Sequence, residues 1–286
     1  MLASLDPAEF EIVTVQSGVR SVRSREFGET FHPVVGPMTE AVALHVRQQR
    51  LVERTAETDG PFVIWDVGLG AAANAVAVLE AFAENPTADV QLYSFDHTSA
   101  PLAFALQHAN ELGYLAAHTG AIEHLLSHGE WRTAHASRLR WHFHPGDFCL
   151  TMTAAPKPHA VLYDPYSPAA NPELWTLEHF TALHALLDPA RPCLLTNYTR
   201  STAVRVTLLL AGFFVGHGHA TGEKDETTIA ANALSLLPEP LDQRWLDRVQ
   251  RSTRAAPLRK LGVPGVIHRA DWQRLAEHPQ FSRLDS

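Results

Sequence analysis

The chain has 286 residues, of which 45% are hydrophobic and 19% charged; these proportions fit a folded globular protein and exclude disordered, collagen-like or heptad-repeat chains. No apolar run approaches the ~20 residues of a bilayer span, and the N-terminal MLASLDPAEF has acids where a signal peptide has lysines, so a cytoplasmic protein is expected. The 23 basic and 31 acidic residues divide unevenly: Pro238 to Ser286 carries 9 basic against 6 acidic side chains, and the preceding body 14 against 25.

An acidic body weakens any non-specific grip on nucleic acid, because that grip comes from Lys and Arg displacing counterions from phosphates; room remains for a small RNA-facing patch. Cys149 and Cys193 are the only cysteines and form no CxxC pair, which argues against a disulfide scaffold and a thiolate zinc site.

From Pro61 onward, apolar runs alternate with helical patterns. FVIWDVG is a strand closed by glycine, and the Ala-rich AAANAVAVLEAFAE after it is a helix. Val90 to Asp96 is the next strand, then a helix opens at Ser99 with Pro101 just inside it and runs to about Leu112. A helix covers Gly120 to His128, and RLRWHFHPGD alternates with period two through Leu139, Trp141 and Phe143.

Ala160 to Tyr166 is a buried strand ending on an acid and a proline. Asn171 and Pro172 suit the start of a helix through Leu187, CLLTNYT is a strand, and STAVRVTLLLAG is a helix stopped by Gly212. FFVGHG and TTIAANAL close the series. This pattern predicts an α/β fold with a mostly parallel seven-stranded sheet, an antiparallel edge strand and helices on both faces, a class I methyltransferase Rossmann-like architecture. It also divides the chain into an N-terminal extension (1–60), the nucleotide-binding domain (61–237) and a basic helical extension (238–286).

The strongest local motif is Asp66-Val67-Gly68-Leu69-Gly70-Ala71-Ala72, at the turn from the first strand into the first helix. Glycine lets the backbone turn sharply and a ligand lie against it, and the helix N-terminus presents free N–H groups. Gly68-x-Gly70-x-x-Ala73 also satisfies the relaxed dinucleotide fingerprint, with Asp96 placed for ribose hydroxyls. Asp66, two residues ahead of the first glycine, favours S-adenosylmethionine over a nicotinamide cofactor. Asp147, at the end of the third strand, is a candidate for the adenine contact and equally a turn residue.

Asp164-Pro165-Tyr166 follows the fourth strand and is similar to the acid-Pro-aromatic motif of amino-group methyltransferases. A carboxylate there can orient an amine and help remove its proton, since methyl transfer needs a free lone pair.

DPYSPAANPELW, from Asp164 to Trp175, resembles the signature of the MnmC-like tRNA-modifying methyltransferases, Asp-x-Phe-x-Pro-x-x-Asn-Pro-x-x-Trp. Further similarity lies in GLGAAAN from Gly68, SFD ending at Asp96, AGFFV, GEKDE from Gly222, and GETFHPVVGPMTEA from Gly28. The resemblance implies S-adenosylmethionine as cofactor and methylation of the aminomethyl group on the wobble uridine of tRNA, in a stand-alone form without the FAD-dependent oxidase.

It assigns Asp164 to the amine, Gly68, Gly70 and Asn74 to the cofactor turn, and Asp96 to the ribose, with Glu29, Thr30, Tyr166 and Lys224 on the substrate side. Family members usually have glycine where this chain has Ala72, which is tolerable if its φ is negative, and Lys-Arg-Glu where it has Lys224-Asp225-Glu226.

The alternatives are a nicotinamide enzyme, a polyamine aminopropyltransferase, for which no second acid stands beside Asp164 to hold a diamine, and a catalytically silent cofactor-binding module. The 17 histidines include close pairs such as His124 with His128, His142 with His144 and His217 with His219, yet HExxH is absent and no metal is expected. In the tail, Leu241, Trp245 and Val249 share a helical face beside a stripe of Arg244, Arg248 and Arg251, a candidate contact for an RNA backbone.

Overall fold

The computed structural model describes residues 9–85, 87–133, 138–220, 225–261 and 263–282. Its strands are β1 (Phe10–Thr14), β2 (Arg20–Ser24), β3 (Phe62–Val67), β4 (Asp89–Asp96), β5 (Glu130–Arg132), β6 (Arg138–Pro145), β7 (Ala160–Tyr163), β8 (Leu194–Asn197), β9 (Phe214–Gly218) and β10 (Thr227–Ala231). Eight of them form one sheet in the order β5-β6-β4-β3-β7-β8-β10-β9.

The run from β6 to β8 is parallel, and β10 is antiparallel to both β8 and β9. All seven strands read from the sequence are present. The closing pair β9–β10 forms the expected antiparallel edge at one rim, and the eighth strand, β5, only three residues long, adds a second at the other by pairing antiparallel with β6.

Sheet alternation sends the fully buried β3 to two cores. Phe62 and Ile64 face one with the helix Ala73–Phe82, while Val63, Trp65 and Val67 face the other with the helices Leu177–Leu186 and Thr202–Leu210. The helix expected from Asn171 to Leu187 is broken. A 3-10 turn spans Pro172–Trp175, and the α-helix starts afresh at Leu177 with Thr176 as its cap, its Oγ1 accepting from His179 N at 3.2 Å. The break lets Trp175 turn into the core and donate to the Tyr166 carbonyl.

Before the sheet lies a hairpin that the sequence reading did not find. Its strands β1 and β2 pair antiparallel, and a helix at Pro37–Ala41 runs into a π-helical stretch at Val42–Arg47, which a turn ending on the left-handed Arg50 separates from a second helix at Leu51–Ala56. At the far rim, the edge of β9 is closed by the C-terminal segment. His217 N donates to the Glu239 carbonyl and Leu241 N to the Val215 carbonyl. The buried Gln280 amide accepts from Val215 N and donates to the Val215 and Leu241 carbonyls, all at 2.8 Å.

The tail helix Gln243–Arg251 buries Trp245, Leu246 and Val249 and leaves Arg244, Arg248 and Arg251 exposed, as its periodicity predicts. No helix among the described residues is long and apolar enough to cross a membrane.

Candidate active site

A cavity of about 740 Å3 opens where the parallel strands end, and its lining is drawn from the segments that follow β3, β4, β6, β7 and β8, together with residues 26–40 of the N-terminal segment. Open α/β sheets present ligands to this end, where strand order reverses; here the reversal falls at β3, with β4 on one side and β7 on the other. The volume suits a small-molecule site, about 300–1,000 Å3.

The glycine turn forms the floor. Gly68 has φ 91° and Gly70 φ 49°, and a Cβ on Gly68 would stand 2.6 Å from the Asp164 carbonyl oxygen and 3.0 Å from Pro165 Cα. The first and fourth strand-end loops thus touch at an atom only glycine can spare. Ala72, the N-cap of the next helix, takes φ 62°. The condition under which alanine is tolerable here, a negative φ, is not met: Ala72 takes the left-handed conformation that favours glycine.

Asp96 ends β4 with its Oδ2 accepting from Gly70 N at 2.8 Å. Burial raises its carboxyl above the ordinary range, opposed by the backbone amides of Gly70, Thr98 and His97. Asp66 lies behind the turn, fully buried, with Oδ2 accepting from Ser94 Oγ at 2.7 Å, which in turn accepts from Trp141 Nε1. Burial pushes its carboxyl up to about 8, against the Ser94 hydrogen bond and with added push from Asp164 and Asp96. Asp147 lines the cavity and caps the short helix after β6, Oδ1 accepting from Cys149 N, which is the turn role the sequence allowed. Phe148, next to it, adds an aromatic wall.

On the other side stands Asp164, its side chain 15% exposed. Asn74 sits in the first turn of the helix Ala73–Phe82, and its amide reaches across to donate to Asp164 Oδ2 at 2.9 Å. His32, which the sequence reading did not single out, places Nε2 3.7 Å from that oxygen and Nδ1 3.9 Å from Glu40 Oε2. Glu29 accepts from Ser167 N at 3.1 Å and from the Ser167 hydroxyl, tying the N-terminal segment to the loop after β7. Thr30 lines the cavity and bridges to Arg23.

Tyr166 packs in tilted contact with Phe27, ring centroids 4.4 Å apart, and with Phe31 at 5.6 Å. Tyr198 donates to the Pro165 carbonyl at 3.2 Å, and burial raises its hydroxyl, with Asp164, Glu29 and Glu40 adding to the effect. Lys224 lies outside the described residues. The search for a second acid beside Asp164, fruitless in the linear sequence, ends differently in three dimensions, since Glu29 and Glu40 share its cavity.

The donor set fits S-adenosylmethionine. The glycine cradle is held open at Gly68, Asp96 stands where hydroxyls would bond, and Asn74 Oδ1 is buried without a hydrogen-bond partner at the floor. Among the described residues, no group of three or more His, Cys, Asp or Glu is placed to hold a metal ion. His124 and His128 stack on each other and bond to backbone carbonyls, and His217 pairs with Glu226.

Comparison with known proteins agrees with this geometry. A family described as S-adenosyl-L-methionine-dependent methyltransferase matches residues 127–233, the stretch that holds Asp147 and Asp164. The crystal structure of MnmC2 from Aquifex aeolicus superposes with a TM-score of 0.69 at 26% identity, covering 88% of this chain and 79% of that one. The chain is a class I S-adenosylmethionine-dependent methyltransferase.

Two curated relatives share the name tRNA 5-methylaminomethyl-2-thiouridine biosynthesis bifunctional protein MnmC. That of Ectopseudomonas mendocina is 28% identical over 85% of this chain and 37% of its own length. That of Pseudomonas putida is 30% identical over 71% of this chain and 32% of its own. The chain spans about a third of the length of these relatives, and within that third it is MnmC-like in sequence and fold.

Proposed function

We propose that this methyltransferase acts on an amine nitrogen, that of the aminomethyl group on a tRNA wobble uridine, with Asp164 holding the amine. The observation that carries this reading is the acidic cavity. Asp164, Glu29 and Glu40 line one chamber with the aromatic rings of Phe31, Tyr166 and Tyr198, a surrounding suited to a cationic ammonium on a flat base. The names of the relatives, which concern 5-methylaminomethyl-2-thiouridine in tRNA, supply the substrate class.

Bound S-adenosylmethionine would supply an electrophilic methyl group, held by Gly68, Gly70, Asp96 and Asp147, with Phe148 packing near the adenine and Asp66 supporting the turn from behind. The chain's own groups do the rest: Asn74 fixes one carboxylate oxygen of Asp164, and Glu29 and Tyr198 hold the loop that carries it. In this reading the N-terminal extension (1–60) forms the substrate side, with Thr30 toward the base and Tyr166 joining it from the loop after β7, 61–237 bind the cofactor, and the arginine edge of the tail (238–286) meets RNA backbone.

The acids also suit a diamine, so the test has two arms. Purified protein with methyl-labelled S-adenosylmethionine is offered tRNA lacking the final wobble methyl group, or putrescine with decarboxylated S-adenosylmethionine. Methyl label in tRNA and no spermidine in the diamine arm supports the reading; spermidine in the diamine arm with no label in tRNA overturns it.

A further inference from the structure

We propose that His32 is the catalytic base of this site, the group that takes the proton from the substrate ammonium before the methyl group arrives. The proposal rests on the amine reading above and deepens it. His32 lies on the loop between β2 and the helix that begins at Pro37, and lines the same chamber as Asp164. Its side chain is only 10% exposed, and its two ring nitrogens face two different carboxylates, Nε2 toward Asp164 and Nδ1 toward Glu40.

Its backbone sits at φ 48°, one of three non-glycine residues with positive φ among those described. Such a conformation costs of order 1–3 kcal/mol and survives where surrounding structure imposes it. Here the imposition comes from both sides: Phe31 N donates to the Val22 carbonyl just before His32, and the helix carrying Glu40 opens just after it.

The chemistry explains the arrangement. An alkyl ammonium has no lone pair, and a carboxylate, far less basic than an amine, orients it better than it deprotonates it. An imidazole is the better proton acceptor near neutral pH. The proton leaves the ammonium nitrogen for Nε2, the nitrogen keeps the electron pair of the broken N–H bond, and that pair forms the N–C bond as the S–C bond breaks with its electrons going to sulfur. Glu40 then balances the imidazolium at Nδ1, and Asp164 remains ionised to hold the amine.

Both gaps, 3.7 and 3.9 Å, exceed a hydrogen bond, as is common before substrate draws a site together. The titratable groups placed against His32 are Glu40 and Asp164 at its two ring nitrogens and the buried His45, whose own imidazole burial and His32 together hold down at about 3.

The test uses the full chain, wild type and His32→Gly, a residue that accepts φ 48° without strain, with His32→Gln as a second variant that keeps bulk and polarity. Single-turnover methylation of tRNA bearing the aminomethyl group is followed across pH 6 to 10, with and without added imidazole, and S-adenosylhomocysteine affinity is measured by calorimetry. The base role predicts a loss of roughly 10²–10³-fold at pH 7 in both variants, shrinking toward pH 10 where the free amine prevails. It also predicts partial recovery of His32→Gly by imidazole, and unchanged calorimetry.

A loss that is constant with pH and unrescued, or a parallel loss of S-adenosylhomocysteine affinity, would overturn it by showing a structural role. Full activity in both variants would overturn it while leaving the amine reading intact, and an inactive wild type that still binds S-adenosylhomocysteine would overturn both.

Discussion

At the scale of single residues, Asp164 and Asp66 show how one side-chain type is set to different tasks by its surroundings. Asp164 lines the cavity with one oxygen fixed by Asn74, and the proposed reading has it orient the substrate cation. Asp164→Ala should therefore lower turnover by a hundredfold or more while S-adenosylhomocysteine affinity stays near wild type; equal losses of rate and affinity would mark it as structural.

Asp66 is buried with its carboxyl raised from 3.8 to about 8, so its effect is on stability. Below pH 3.8 it is protonated in folded and unfolded chains alike. Between 3.8 and 8 the unfolded chain gives up the proton while the folded one keeps it, so stability falls as pH rises, and above 8 the penalty is complete. Asp66→Asn should match wild type near pH 4 and gain on it at pH 7.5 in urea unfolding. A difference that does not vary with pH would show that Asp66 is ionised in the fold.

At the scale of elements, the turns decide what the strands can hold. Gly68→Ala would drive a Cβ to within 2.6 Å of the Asp164 carbonyl at a φ of 91°, so it should cost about 2 kcal/mol or more and weaken cofactor binding. Gly120→Ala, in the helix Thr119–His128 with open space around it, should stabilise by about 0.5–1 kcal/mol. Thermal unfolding of the two variants checks the contrast in sign.

This is also the scale at which the sequence was most legible. The strand ends carrying Gly68, Asp96, Asp147 and Asp164 stand out because apolar runs, glycines and acids alternate locally. The β1–β2 hairpin did not, because RSVRS and FEIVT mix charged and half-buried positions without a clean period. His32, Glu40 and Tyr198 were illegible for a different reason. They meet Asp164 only through tertiary packing of distant segments, and a left-handed histidine leaves no signature in the chain; the only local hint is that His32 falls inside the GETFHPVVGPMTEA segment.

At the scale of the whole molecule, the C-terminal tail completes the sheet, since the buried Gln280 amide makes two hydrogen bonds to Val215 on the outer edge of β9 and a third to the Leu241 carbonyl. Gln280→Ala would leave Val215 N buried without its acceptor, and should cost about 2–4 kcal/mol in urea unfolding; a change under about 0.5 kcal/mol would mean the tail merely rests on the sheet.

Whether the chain methylates an amine on tRNA is read from the modified nucleoside itself. Total tRNA lacking the final wobble methyl group, incubated with the wild-type chain and S-adenosylmethionine, is digested to nucleosides and the wobble nucleoside is weighed by mass spectrometry. The account predicts a gain of one methyl group on the side-chain nitrogen, absent with Asp164→Ala. An unmodified wobble nucleoside from a protein that binds S-adenosylhomocysteine, or a methyl group found at any ring position or sugar, would contradict it.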